Sequence, residues 1–175
     1  MLPTRASDYS QRVFIIMTFS LKLGNLLIDE NMDLKLSDFG LATKVEFVGD
    51  KKHSVCGTPN YIAPEVIQYG LKVQGSTSGH SYGVDIWSMG VILYIMLIGV
   101  PPFETDTRGK TYKRICDCDF SFPRSFKDEN AKDLIRKMLV VDQSKRYTIE
   151  DILNHPFMNP KRGIIKHMPK SALKE

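Results

Sequence analysis

Residues 84–98 constrain this chain's fold more than any other stretch, because Ile86, Trp87, Met89, Val91, Ile92, Leu93, Ile95, Met96 and Leu97 make them apolar on nearly all sides. A helix that is apolar all round belongs among other helices or in a bilayer. Fifteen residues fall short of the roughly 20 that a bilayer crossing needs. The stretch therefore predicts a buried central helix, ended by Gly99 and Pro101-Pro102. Such a helix must be ringed by others, and the sequence supplies them. Pro64-Glu65-Val66-Ile67 opens a short helix with proline in its first turn, where no N–H is needed. Residues 107–116 and 129–139 read as two more, and Thr148 with Asp151 three positions on caps a last one through Ile152-Leu153.

Strand signal is confined to one place. Leu26-Leu27-Ile28 and Leu34-Lys35-Leu36 flank the turn formers Asp29-Glu30-Asn31, which predicts a short hairpin. Its closure would bring Asn25 and Asp38 together. Residues 41–60 are polar and aperiodic and read as a loop. Residues 70–83, with Gly75-Ser76-Thr77-Ser78-Gly79 inside them, read as a flexible insertion. The expected class is mainly α with one small β-hairpin.

Composition excludes several function classes. At 175 residues, with 42% hydrophobic and 25% charged, the chain suits one soluble domain. A net charge of +4 is modest, and its dense basic cluster is the tail with Lys161, Arg162, Lys166, Lys170 and Lys174. Nucleic-acid binding asks for more charge on one face, and none is expected. No apolar run is long enough for a bilayer, so no membrane partner is expected either. Arg5 and then Val13-Phe14-Ile15-Ile16-Met17 lack the small-residue cleavage pattern of a secretory signal. Cys56, Cys116 and Cys118 are too few for a structural zinc site and read as reduced thiols. His53, His80, His155 and His167 form no recognisable constellation and are assigned no role.

Two motifs carry the chemistry: Asp38-Phe39-Gly40, and Cys56-Gly57-Thr58-Pro59-Asn60-Tyr61-Ile62-Ala63-Pro64-Glu65. Together with Lys22 and Asn25 just upstream, they resemble the catalytic loop, magnesium loop and activation segment of protein kinases. Lys22-Leu23-Gly24-Asn25, the run Gly40-Leu41-Ala42-Thr43-Lys44-Val45-Glu46, Cys56 before Gly57, and Pro101-Pro102-Phe103-Glu104-Thr105 are similar to the polo-like serine/threonine kinase family. The resemblance covers Leu21 to Phe157. It implies the C-terminal lobe of the kinase fold at 21–158, a preceding segment 1–20 outside the pattern, and a basic, flexible tail at 159–175.

The resemblance also implies a site. ATP and Mg2+ would be the cofactors and protein serines or threonines the substrates. Asn25 and Asp38 are then metal ligands, both offering the oxygen donors that a hard cation takes. Lys22 would offset charge on the transferring phosphate. Leu27 would underlie the adenine, and Thr58 would contact the catalytic carboxylate and lysine. Ser54 stands at the activation-loop phosphosite, where a phosphate adds about −1.5 to −2 charge. Glu65 and Arg146 would form a buried ion pair, and Asp85 would brace the catalytic loop. The family works in the cytoplasm and nucleus, at centrosomes and spindles, and its phosphopeptide-binding polo boxes would follow beyond Glu175.

One position departs from the family. Thr18-Phe19-Ser20 occupies the place of His-Arg-Asp, so Ser20 stands where the catalytic aspartate belongs and Phe19 where an arginine would receive the Ser54 phosphate. Loss of a positioned general base costs about 10²–10⁴ in rate. The chain also holds no G-x-G-x-x-G loop, no Val-Ala-Ile-Lys strand and no partner glutamate for that lysine. Negligible transfer activity is the expectation. Either the chain is a truncated or mis-joined reading of a full kinase, or it is a short product acting as a non-catalytic binding or decoy module.

Overall fold

The structure, a computed structural model, describes residues 15–17, 21–40, 43–45, 59–72 and 82–159. Of the strands Ile15–Met17 and Thr43–Val45 it describes the backbone alone. In chain order the elements are β1 (Ile15–Met17), β2 (Leu26–Ile28), β3 (Leu34–Leu36), β4 (Thr43–Val45), α1 (Pro64–Gly70), α2 (Gly83–Ile98), α3 (Arg108–Asp117), α4 (Glu129–Met138) and α5 (Ile149–Leu153). One-turn 3-10 helices sit at Leu23–Asn25, Pro59–Tyr61 and Pro156–Met158.

α2 is the axis. Trp87 and Val91 are fully buried on one side of it with Phe103, Ile115, Ile135 and Leu139, while Ile86 on another side packs with Leu134, Met138 and Ile152. Two clusters on two faces are what an all-round apolar helix requires. Its last turn departs from the expectation of complete burial: Met96 is 67% exposed. There the helix runs out to exposed Gly99 and Val100, and Gly99 turns the chain at φ 94° with its N–H on the Ile95 carbonyl at 2.7 Å. Glycine accepts that left-handed backbone without a Cβ penalty.

α4 approaches α2 closely at a second glycine. A Cβ on Gly90 would stand 2.9 Å from Leu139 Cδ2 and 3.0 Å from Met138 Cβ. The smallest residue thus lets two helices meet. Caps fix the shorter helices. Thr107 accepts the Lys110 N–H, Asp128 accepts the Ala131 N–H, and Thr148 and Asp151 exchange both bonds of a capping box.

The expected hairpin is present, with Leu26 opposite Leu36 and Ile28 opposite Leu34. A second antiparallel pair joins β1 to β4, Ile15 opposite Val45 and Met17 opposite Thr43. That pair corrects the reading of residues 41–60 as loop throughout, as does the 3-10 turn Pro59–Tyr61. Three-residue strands carry no legible alternation, so a partner distant in sequence makes them strands. Residues 73–81 of the expected insertion lie outside the described residues. Among the described residues no helix is long and apolar enough to cross a membrane.

Candidate functional site

The hairpin builds the site by closing on itself. Asn25 ends the 3-10 turn ahead of β2 and is buried, its N–H bonded to the Lys22 carbonyl at 3.0 Å. The Asn25 carbonyl accepts two bonds from Ser37, from N at 2.8 Å and from Oγ at 3.2 Å. Ser37 follows β3, so these bonds fasten the two ends of the hairpin. The next residue, Asp38, brings its Oδ2 to 3.4 Å from Asn25 Nδ2. Asp38 is exposed and stands at φ 62°, a left-handed conformation uncommon for any residue but glycine. Its Oδ1 accepts the Gly40 N–H at 3.3 Å, a local bond that helps aspartate tolerate the strain.

The far end of the hairpin is equally tied. Asp29 Oδ1 accepts the N–H groups of Asn31 and Asp33, both at 2.9 Å, and its other oxygen pairs with Lys35 at 3.2 Å. The Asp33 N–H above all, with the Lys35 partner, holds the Asp29 carboxyl below its usual range. Lys22 is half-buried just before the 3-10 turn. Leu27, at the middle of β2, is 52% exposed, and Ile28, Leu34 and Phe39 are exposed with it. Ser20, Ser54 and Thr58 lie outside the described residues.

A buried ion pair joins α1 to the loop between α4 and α5. Arg146 donates to Glu65 through Nη1 at 2.8 Å and Nη2 at 2.9 Å, a two-pronged pairing. Nη1 also reaches the Gly83 carbonyl at 2.7 Å and Nε the Val140 carbonyl at 2.9 Å. The guanidinium lies 5.2 Å from the centre of the Trp87 ring, and the Arg146 side chain is 1% exposed. One residue therefore ties α1, the start of α2, the end of α4 and the α4–α5 loop. Trp87 Nε1 is buried with no hydrogen-bond partner among the described residues. Asp85 stands half-buried in the first turn of α2.

Three features escaped the sequence. His155 is buried, with Nε2 at 2.9 Å from Asp133 Oδ2 and Nδ1 accepting the Phe157 N–H at 3.1 Å. An accepting Nδ1 makes Nε2 the donor to Asp133. Asp133 also takes Lys137 at 2.8 Å. That bond first, and the His155 bond second, hold its carboxyl below the usual range, while Lys137 is pushed up to about 12. Ser88 Oγ donates to the Tyr61 carbonyl at 2.9 Å, and Asn60 Nδ2 to Glu104 Oε1 at 3.0 Å. No local spacing announces either bond. Among the described residues Cys116 and Cys118 form no disulfide, and burial pushes both thiols up. Among the described residues no group of three or more His, Cys, Asp or Glu is placed to hold a metal.

A family defined as the protein kinase domain matches residues 11–158. The chain belongs to this family. The matched span of the kinase domain takes in all the described elements, from β1 through the final 3-10 turn. Relatives of this kinase-family chain include a probable serine/threonine-protein kinase CCRP1 of Zea mays, 53% identical over 87% of this chain and 24% of its own length. The serine/threonine-protein kinase PLK1 of Xenopus laevis is 50% identical over 78% of this chain and 21% of its own. The serine/threonine-protein kinase polo of Drosophila melanogaster is 40% identical over 87% and 25%. The chain thus spans about a fifth to a quarter of the length of these relatives.

Proposed function

We propose that this chain is the helical, C-terminal lobe of a polo-like serine/threonine protein kinase, and that Ser20 leaves it with negligible phosphoryl transfer of its own. The observation that carries the reading is the meeting of Asn25 and Asp38 at the mouth of the hairpin, 3.4 Å apart although they are thirteen positions apart in sequence. In the family reaction the γ-phosphate of ATP passes to a protein serine or threonine. Catalysis there is mostly positioning and charge stabilisation, which explains why a few fixed side chains suffice.

Asn25 and Asp38 fit a magnesium site, since an amide and a carboxylate offer the oxygen donors that this ion takes. Bound magnesium would supply positive charge against the phosphate oxygens. Asp38 arrives already held in an unfavourable backbone conformation, the kind of strain that binding sites retain. Lys22 would add a second positive charge beside the phosphate. Leu27, exposed on β2, offers an apolar surface for the adenine. Thr58 and the 3-10 turn after it would face the peptide. Asp85 would brace the catalytic loop, and Glu65 with Arg146 would anchor the end of the activation segment. Ser54 would be the phosphorylated residue, with Phe19 unable to receive it. The parent protein would act in the cell cycle, in cytoplasm and nucleus.

Ser20 carries the inactivity. A hydroxyl neither takes the substrate's proton as a carboxylate does nor places negative charge beside the acceptor. Purified chain with Mg·ATP and an acidic Ser/Thr protein substrate should turn over below about 10⁻² of an intact relative. Turnover above about 10⁻² of that relative's would contradict the proposal. The exposed Leu27, Ile28, Leu34 and Phe39 favour a second reading, in which the lobe works as a non-catalytic binding module. ATP-independent binding of a Ser/Thr peptide, with transfer absent, would support it.

A further inference from the structure

The 3-10 turn Pro59–Tyr61 follows directly on Thr58, and it is held from two sides. From within, Ser88 of α2 donates to the Tyr61 carbonyl. From without, Asn60 Nδ2 donates to Glu104 Oε1 at 3.0 Å, across 44 positions of sequence and in an exposed setting. Other exposed side-chain pairs behave differently: Lys110 with Asp106, Lys113 with Asp117, and Lys132 with Glu129 each join residues three or four apart. An exposed hydrogen bond competes with water at both ends and adds little to stability. Its consequence at Asn60 is geometric.

The backbone that carries Glu104 is anchored. Its neighbour Phe103 is fully buried, stacked on Trp87 with ring centres 5.5 Å apart and edge-on to Phe120 at 5.6 Å. The Glu104 carbonyl accepts Arg114 Nη1 at 3.4 Å, and the Thr105 N–H bonds Thr111 Oγ1 at 3.2 Å. The backbone at 104 therefore follows the core of α2 and α3.

The geometry points to Glu104 as a positioning residue for peptide binding, acting through Asn60. With one amide hydrogen on Glu104, Asn60 keeps one donor and the carbonyl acceptor Oδ1. That pair complements the C=O and N–H of one peptide group. The ligand class is an extended Ser/Thr peptide, recognised at this point by its main chain and so with little dependence on side-chain identity. The inference rests on the proposed function, which has the turn face the substrate.

The test compares the 175-residue chain with Glu104→Ala, Glu104→Gln, Asn60→Ala and the Glu104→Ala/Asn60→Ala double variant. The readouts are the dissociation constant of a fluorescent Ser/Thr peptide, amide exchange at residues 59–62, and the thermal midpoint. Glu104→Gln retains Oε1 and is the rescue. Glu104→Ala should weaken the peptide about fivefold, the worth of one neutral hydrogen bond, and speed exchange at Tyr61 and Ile62. Glu104→Gln should stay within about twofold, and the double variant should be no worse than Asn60→Ala, because contacting residues do not add. Equal losses for Ala and Gln, additive losses in the double variant, no change in exchange for Glu104→Ala, or a fallen thermal midpoint would each overturn the inference. Should the unsubstituted chain fail to bind the peptide, the substrate-lobe reading fails while the exchange data still decide whether Glu104 positions the turn.

Discussion

Arg146 and Asp38 show how differently single residues behave in this lobe. Arg146 satisfies Glu65 and two main-chain carbonyls at once, with its side chain shielded from water. Arg146→Met would strand the Glu65 carboxylate and should cost about 3–5 kcal/mol in urea unfolding. Replacing both partners by apolar residues should cost far less. Asp38 runs the other way. Its backbone at φ 62° suits glycine better than aspartate, so Asp38→Gly should raise the unfolding free energy by up to about 1 kcal/mol while removing the proposed metal ligand. Glu65 and Arg146 were legible as a pair only through the family resemblance of their positions. His155 was not, because its partners Asp133 and Phe157 form no pattern that a string of residues displays. Asn60 and Glu104 escaped for the same reason.

At the scale of elements, local chemistry and tertiary contact divide the outcome. α3, α4 and α5 lie within a residue or two of their expected bounds, because Thr107, Asp128 and Thr148 cap them with their own side chains. β1 and β4 were missed, since each becomes a strand only by pairing with the other. Gly90 looked like any helical glycine until α4 was in place. Gly90→Ala should cost about 1–3 kcal/mol by overpacking against Met138 and Leu139, measurable in urea. The joint between α4 and the final 3-10 turn carries a pH signature. Asp133 has its folded pKa lowered, by Lys137 first and His155 second. Its contribution is therefore present above the unfolded carboxyl value, about 3.9, and is lost as pH falls through the lower folded value. Asp133→Asn should flatten the acid limb of stability against pH, most clearly below about pH 4. An unchanged acid limb would show that the joint carries no such linkage.

Across the whole molecule, the chain comprises a helical body built on α2 and, ahead of it in sequence, one short hairpin. The hairpin is where exposed apolar side chains and the strained acid lie together. The body was legible because residues 84–98 permit only a central position, and the hairpin because its turn formers stand between apolar triplets. The mouth of that hairpin was legible only as an expectation of nearness. The Ser37 bonds to the Asn25 carbonyl, which enforce it, have no signature in the sequence. The account stands most directly on whether Asn25 and Asp38 together receive a magnesium nucleotide. An NMR titration of the chain with Mg·ATP tests this, read at the Asn25 side-chain amide and the Gly40 backbone amide. The account predicts saturable shifts at both that require magnesium and vanish in a folded Asp38→Asn variant. Shifts that are absent, that centre elsewhere, or that survive that substitution would contradict it.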